Sequence, residues 1–226
     1  MTEQTYYNLI ADSAELHLGD CLEVMKKISS SSVDLVITDI PYGKVNRFSG
    51  GLRNLDKGLA DVLTFNLHDF VNELDRVCNG SIYVFCGTEQ LSELRSHFSN
   101  LGWTTRLCIW EKTNPSPMNG QYMWLSGVEC CIFARRKGAT FNEHCKNTVW
   151  RFPNGRSKTH PTEKPIALFK YLVEVSSNLG NIVLDPCMGS GTSGVVCKIT
   201  GRKYIGIELN NSYFEIAKNR ILNHGA

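Results

Sequence analysis

The segment NIVLDPCMGSGTSGVVCKITGRKYIGIELN, Asn181 to Asn210, constrains the fold more than any other part of the chain. It reads as an apolar strand, a glycine-rich turn, a helix, a second apolar strand and a closing acid. Gly189, Gly191 and Gly194 satisfy the spacing G-x-G-x-x-G, and Glu208 ends the second strand. Glycines at that spacing permit a tight turn and close backbone approach, and an acid after the next strand can hold a ribose diol. Such a unit belongs inside a parallel sheet, where ligands bind at the carboxyl ends of the strands.

The rest of the chain supplies the other strands. Apolar runs predict strands over Glu15–Leu18, Val33–Thr38, Ser81–Cys86, Thr104–Glu111, Val128–Ala134, Ile182–Leu184 and Lys203–Ile207. Helical periodicity predicts helices over Leu22–Ser29, Leu67–Cys78, Glu89–Ser99, Pro165–Ser177, Thr192–Thr200 and Ser212–Asn223. Leu67, Phe70, Val71, Leu74 and Val77 recur at helical spacing, Pro165 suits a first helical position, and Gly180 and Gly201 suit helix ends. Strands separated by helices imply a doubly wound α/β sheet covered on both faces. The runs 104–111 and 128–134 have no helix between them, so an antiparallel edge pair is expected. Only one helix follows the glycine unit, so strands from the N-terminal half must complete the sheet on both sides, the order of a circularly permuted fold.

The turn's neighbours select the cofactor. Asp185 precedes the turn and would repel a pyrophosphate, whereas it favours a ligand with an ammonium and a sulfonium. S-adenosyl-L-methionine fits. Asp20, after the first strand, can accept from an adenine amine, and serves equally as a helix N-cap. A nicotinamide-dependent oxidoreductase using the same loop is the reading from another class, and Asp185 and the lack of an evident hydride-transfer partner weigh against it.

Composition narrows the classes. The chain has 226 residues and a formal net charge of +2. Neither a membrane-spanning run nor a secretory leader is expected. Nine cysteines with no C-x-x-C spacing suggest free thiols in a reducing compartment, and no metal is expected. Charge is uneven: Arg135 to Lys164 holds eight Lys or Arg against two Glu. Arg135, Arg136, Lys146, Arg151 and Arg156 are the candidates for phosphate contact.

With these residues in place, the chain resembles the beta class of amino-group DNA methyltransferases, over roughly Glu15 to Leu222. TDIPYG (38–43) resembles the D-P-P-Y catalytic motif, with Ile40 where Pro is usual. GDCLEVMKKI resembles the motif at the cofactor adenine, WEKTNP a Trp-x-Lys-x-x-Pro strand end, HPTEKP the cofactor-entry motif, LDPCMGSGT the cofactor loop with Cys187 where Phe is common, and IGIELN the ribose motif. The resemblance implies a seven-stranded Rossmann-like methyltransferase sheet forming a single domain over residues 1–226, with a short target-recognition segment at 135–160. It implies cofactor contacts from Asp20, Cys21, His160, Thr162, Lys164, Asp185, Pro186, Cys187, Gly189, Gly191, Thr192 and Glu208, with Lys164 at the methionine carboxylate. It also implies double-stranded DNA as partner, with a homodimer and a restriction enzyme as further open partners, and a cytoplasmic, bacterial or phage-type setting.

The D-I-P-Y corner then has a chemistry. Asp39 through its carboxylate and Ile40 through its carbonyl accept the two N–H bonds of an exocyclic amine, and so aim its lone pair at the methyl donor. Pro41 fixes the corner, and Tyr42 stacks on a base flipped from the duplex. Phe48 and Trp124 are candidates for the entrance. Pro186-Cys187 lies in the cofactor turn, so a cysteine attack on a pyrimidine ring is rejected. The leading Asp resembles adenine-N6 enzymes of the class; cytosine-N4 enzymes more often lead with Ser. A DNA-binding module that has lost catalysis is the third reading.

Overall fold

The computed structural model describes residues 7–11, 13–42, 63–117, 120–155 and 164–223. These form one nine-stranded sheet with helices on both faces. The strands are β1 (Tyr7–Ala11), β2 (Ala14–Leu18), β3 (Val33–Asp39), β4 (Cys78–Cys86), β5 (Thr104–Lys112), β6 (Val128–Arg135), β7 (Val149–Phe152), β8 (Ile182–Asp185) and β9 (Lys203–Glu208). The helices are α1 (Cys21–Met25), α2 (Leu67–Val77), α3 (Leu91–Asn100), α4 (Ile166–Ser176), α5 (Thr192–Thr200) and α6 (Asn211–Asn223).

The strand order is β1-β2-β9-β8-β3-β4-β6-β5-β7. All seven expected strands are present, and the permuted order holds: β8, which carries the glycine turn, lies beside β3, which carries Asp39. β2 lies parallel to β9 with Leu18 opposite Glu208, which brings Asp20 beside the ribose-type acid. Two strands exceed the expectation. β1 hairpins back onto β2, and β7 adds parallel to β5 beyond the expected antiparallel pair, so β5 and β6 are not at the edge. Both extra strands are short, and β7 interrupts its apolar residues with Arg151, so neither leaves a clear apolar run.

Strand alternation builds two cores. In β3, Leu35 and Ile37 pack with α4, α5 and α6, while Val33 and Val36 pack with α1, α2 and α3. Side chains that alternate across the sheet are buried on both faces, so the parallel strands read as continuous apolar runs. Helix ends follow side-chain chemistry. Asp20 caps α1 by accepting from Leu22 N and Glu23 N at 2.9 and 3.2 Å. Asn66 caps α2 in the same way. Pro165 sits one position before α4 rather than within it, and Gly201 ends α5 at φ +70°. Gly180 lies in the turn before β8, not at the end of α4.

Candidate active site

The carboxyl ends of β3, β4, β8 and β9 open into a cleft of about 740 Å³, which also takes residues from the ends of β2, β5 and β6. Asp39, Ile40, Pro41 and Tyr42 line it. So do Asp20, Cys21, Lys164, Asp185, Pro186, Cys187, Gly189, Thr192 and Glu208. The sequence-predicted groups on β2, β3, β8 and β9 thus converge although they lie up to 188 positions apart (Asp20 to Glu208). His160, Thr162, Arg156 and Phe48 lie outside the described residues.

The glycine-turn side of the cleft is built around two acids. Asp185 is buried and accepts from Cys187 N at 3.1 Å and from the Ser193 hydroxyl at 2.5 Å. Burial pushes its carboxyl up to about 7, against the pull of the Ser193 hydroxyl. Glu208 Oε2 accepts from Gly189 N at 2.9 Å and Oε1 from Asn210 N at 2.8 Å, and burial raises it too. The glycines divide their work. Gly189 has φ +52° and faces the cleft; a Cβ there would meet nothing within 4 Å, so the space above the turn is left to a ligand. Gly191 does not line the cleft. Its φ is +80°, its N–H is used by Met188 O, and a Cβ would stand 2.9 Å from that of Ala217, so it lets α6 pack against the turn.

This lining suits S-adenosylmethionine. Asp20, Asp39, Glu129, Asp185 and Glu208 are its acids. Lys112 and Lys164 are its bases among the described residues, and both are paired to Glu129. An acidic cleft with an open glycine turn accepts a cationic, phosphate-free nucleoside and opposes a pyrophosphate.

The D-I-P-Y corner is held from several sides. Ile40 N donates to Phe85 O at 3.1 Å, and the Ile40 side chain is buried in the core. Gln90 donates through Nε2 to Pro41 O at 2.9 Å and accepts from Gly87 N at 2.8 Å. Tyr42 OH lies 3.1 Å from Asp39 Oδ1 and 3.2 Å from Glu129 Oε2. Lys164 Nζ contacts Asp39 Oδ2 and stands 3.0 Å from Glu129 Oε2, and Glu129 Oε1 takes Lys112 at 2.8 Å. The Lys164 ammonium is therefore at the Asp39 carboxylate, whereas the sequence reading placed it at the cofactor's methionine carboxylate. Sequence reasoning missed Glu129 and Gln90. Lys112 was visible only as the Lys of the WEKTNP motif.

The basic segment divides. Arg135 pairs in register with Ser81 at the start of β4 and donates to Ala139 O at 2.6 Å. It lies seven residues, roughly 23 Å at the usual strand rise, from Val128 at the cleft end of β6. Arg136 is taken up by Asp75 at 2.6 Å and lies over the Trp103 ring at 4.3 Å. Lys146 pairs with Glu143 at 3.4 Å, in a stretch bonded through Asn142 to the far end of α4. The structure does not bring these three to the cleft. Arg151 does stand at the cleft end of the sheet, beside Glu111 at 3.0 Å and 68% exposed. Among the described residues no cluster of three or more His, Cys, Asp or Glu is arranged to hold a metal ion. None of their helices is long and apolar enough to cross a membrane.

A permuted, doubly wound sheet with an acidic cleft across its switch point defines a methyltransferase of the S-adenosylmethionine type. Comparison with known proteins makes this specific. The DNA methylase family model for N6 and N4 methyltransferases matches residues 33–219. The Type II methyltransferase M.HinfI of Haemophilus influenzae is 32% identical over 244 residues, covering 90% of this chain and 67% of the relative. M2.LlaDCHI of Lactococcus lactis subsp. cremoris is 28% identical, covering 95% of this chain and 91% of its own. The crystal structure of the M1.HpyAVI–SAM complex superposes with a TM-score of 0.72 at 27% identity, over 92% of this chain and 99% of that one. The cytosine-N4-specific PvuII methyltransferase shares the fold, with a TM-score of 0.76 at 17% identity over 96% of this chain and 89% of its own. This chain belongs to the N6/N4 DNA methylase family, the S-adenosylmethionine-dependent enzymes that methylate amino groups of DNA bases.

Proposed function

We propose that the chain methylates the N6 amine of an adenine flipped out of duplex DNA. The observation that carries this reading is the carboxylate of Asp39 at the end of β3, beside the glycine turn of β8 and across the same cleft from Glu208. A corner led by Asp resembles that of adenine-N6 enzymes. When bound, S-adenosylmethionine supplies an electrophilic methyl group on a sulfonium. Asp185, Glu208, Asp20 and the open turn at Gly189 would hold it.

The chain's own residues handle the amine. Asp39 accepts one N–H and the Ile40 carbonyl the other, which draws the nitrogen out of conjugation and turns its lone pair toward the methyl donor. Tyr42 offers its ring to the flipped base and its hydroxyl to Asp39, which fixes the carboxylate's orientation. Rate enhancement comes from alignment and from a fixed electrostatic setting. For the DNA side, the favoured parts are Arg151 and the exposed side chains Tyr122, Met123 and Trp124 in the loop between β5 and β6. That loop continues into Ser126 and Val128 of the cleft lining.

The test is methyl transfer from labelled cofactor to duplexes of varied sequence, followed by nucleoside analysis. Label on N6-methyladenine is expected, and it should vanish with Asp39→Ala while cofactor binding persists. Label on cytosine alone would move the assignment to N4, and near-normal transfer by Asp39→Ala would remove Asp39 from the mechanism.

A further inference from the structure

The proposed chemistry needs Asp39 as a carboxylate, since only the ionised form is purely an acceptor. Its surroundings oppose that charge. Burial pushes the Asp39 carboxyl up from the usual range, and the ammonium of Lys164 pulls it back. Four charged groups meet here from distant parts of the chain: Asp39 ending β3, Lys112 ending β5, Glu129 near the start of β6, and Lys164 ahead of α4. Lys164 is 7% exposed. Its three donors have three acceptors in reach: Asp39 Oδ2, Glu129 Oε2 at 3.0 Å and Tyr42 OH at 3.4 Å. Glu129 spends its other oxygen on Lys112. Two carboxylates and two ammoniums balance, so neither Asp39 nor Glu129 is left as an uncompensated buried charge.

We propose that Glu129 and Lys164 are positioning residues for methyl transfer. Glu129, anchored by Lys112, holds the Lys164 ammonium against one oxygen of Asp39, which keeps Asp39 an acceptor and fixes the direction of its remaining lone pairs toward the incoming amine. This rests on the role of Asp39 given above. It also moves Lys164 away from the role the sequence suggests: its partner is the catalytic carboxylate, not the cofactor carboxylate.

The variants are Lys164→Gln, Lys164→Arg, Glu129→Gln and the double variant Glu129→Gln/Lys164→Gln. The double variant removes one charge of each sign and leaves Asp39 and Lys112, so the cluster stays neutral if a single variant folds poorly. The readouts are cofactor affinity by calorimetry, kcat and KM for duplex DNA against pH, and titration of Asp39 by NMR on protein carrying carboxyl-labelled Asp, assigned with Asp39→Asn. Lys164→Gln and Glu129→Gln should each lower kcat about a hundredfold, the scale of a misaligned reacting group. KM and cofactor affinity should stay near wild type. The acid limb of kcat and the Asp39 titration should both move to higher pH in Lys164→Gln, where a stabilising cation is lost, and return with Lys164→Arg. In Glu129→Gln the limb should stay or move lower, because a like charge is removed while alignment is lost.

Two kinetic results overturn the proposal: a wild-type kcat and acid limb in Lys164→Gln or the double variant, or normal kcat at saturating cofactor with a collapsed cofactor affinity. The latter would return Lys164 to the cofactor. The Asp39 titration needs no turnover. If wild type transfers no methyl group to any base, the functional reading fails, while an unmoved Asp39 titration in Lys164→Gln sinks this proposal separately.

Discussion

Asp185 is an acid whose charge depends on pH near neutrality. Burial holds its carboxyl at about 7, above the ordinary value of 3.8. A ligand with an ammonium prefers the ionised form, so cofactor binding should strengthen as pH rises through about 7 and release a proton below it. Affinity should fall again as the ligand's own α-amino group deprotonates, at about 8 for such amines. Calorimetry in buffers of different ionisation enthalpy measures both effects. Asp185→Asn should bind more weakly and without the neutral-range proton release. The place of this residue in the cleft was legible from its position before a glycine turn. Its raised proton affinity was not, because that depends on the helices that cover β8.

Among the described residues, the loop from β5 to β6 exposes four consecutive large apolar side chains, Tyr122 to Leu125. Trp124 is 97% exposed and Tyr122 87%, with Met123 and Leu125 beside them. Exposed rings two to four residues ahead of the cleft-lining Ser126 are suited to stacking on bases, a contact worth about 1–3 kcal/mol per base. Trp124→Ala should therefore weaken duplex binding by about ten- to a hundredfold and abolish most DNA-dependent quenching of tryptophan fluorescence. Cofactor affinity and melting temperature should not change, since the side chain packs against almost nothing. Unaltered duplex affinity would dismiss the loop. The hairpin itself was visible as two apolar runs without a helix between them. β7 beyond it was not, for its four residues, VWRF, include an exposed Arg.

For the whole molecule, Glu129 ties the ends of β5 and β6 to the segment entering α4. Burial alone would raise its carboxyl, but Lys164 and Lys112 hold it at about 2, below the ordinary 4.5. A depressed acid stabilises the fold above its unfolded value. That contribution is lost as pH falls from about 4.5 through about 2. Wild type should lose melting temperature steeply across that window. Glu129→Gln should start lower and lose less, the two curves converging at its acid end. Parallel curves throughout would mean that the pair contributes no linkage.

The sequence determined the sheet, its permuted order and most of the cleft. Glycine spacing, strand-ending acids and apolar periodicity are local, and the strands that precede the glycine unit in sequence flank it on both sides. The tertiary structure decided which charges meet. Lys164 reads in sequence as a cofactor ligand and Glu129 as an ordinary residue of an apolar strand, yet they pair over Asp39. Arg135 and Arg136 read as neighbours of a DNA site, yet β6 runs against β4 and carries them to the opposite end of the sheet. Charge pairing depends on strand direction and register, and these are set by long-range contacts that no run of residues contains.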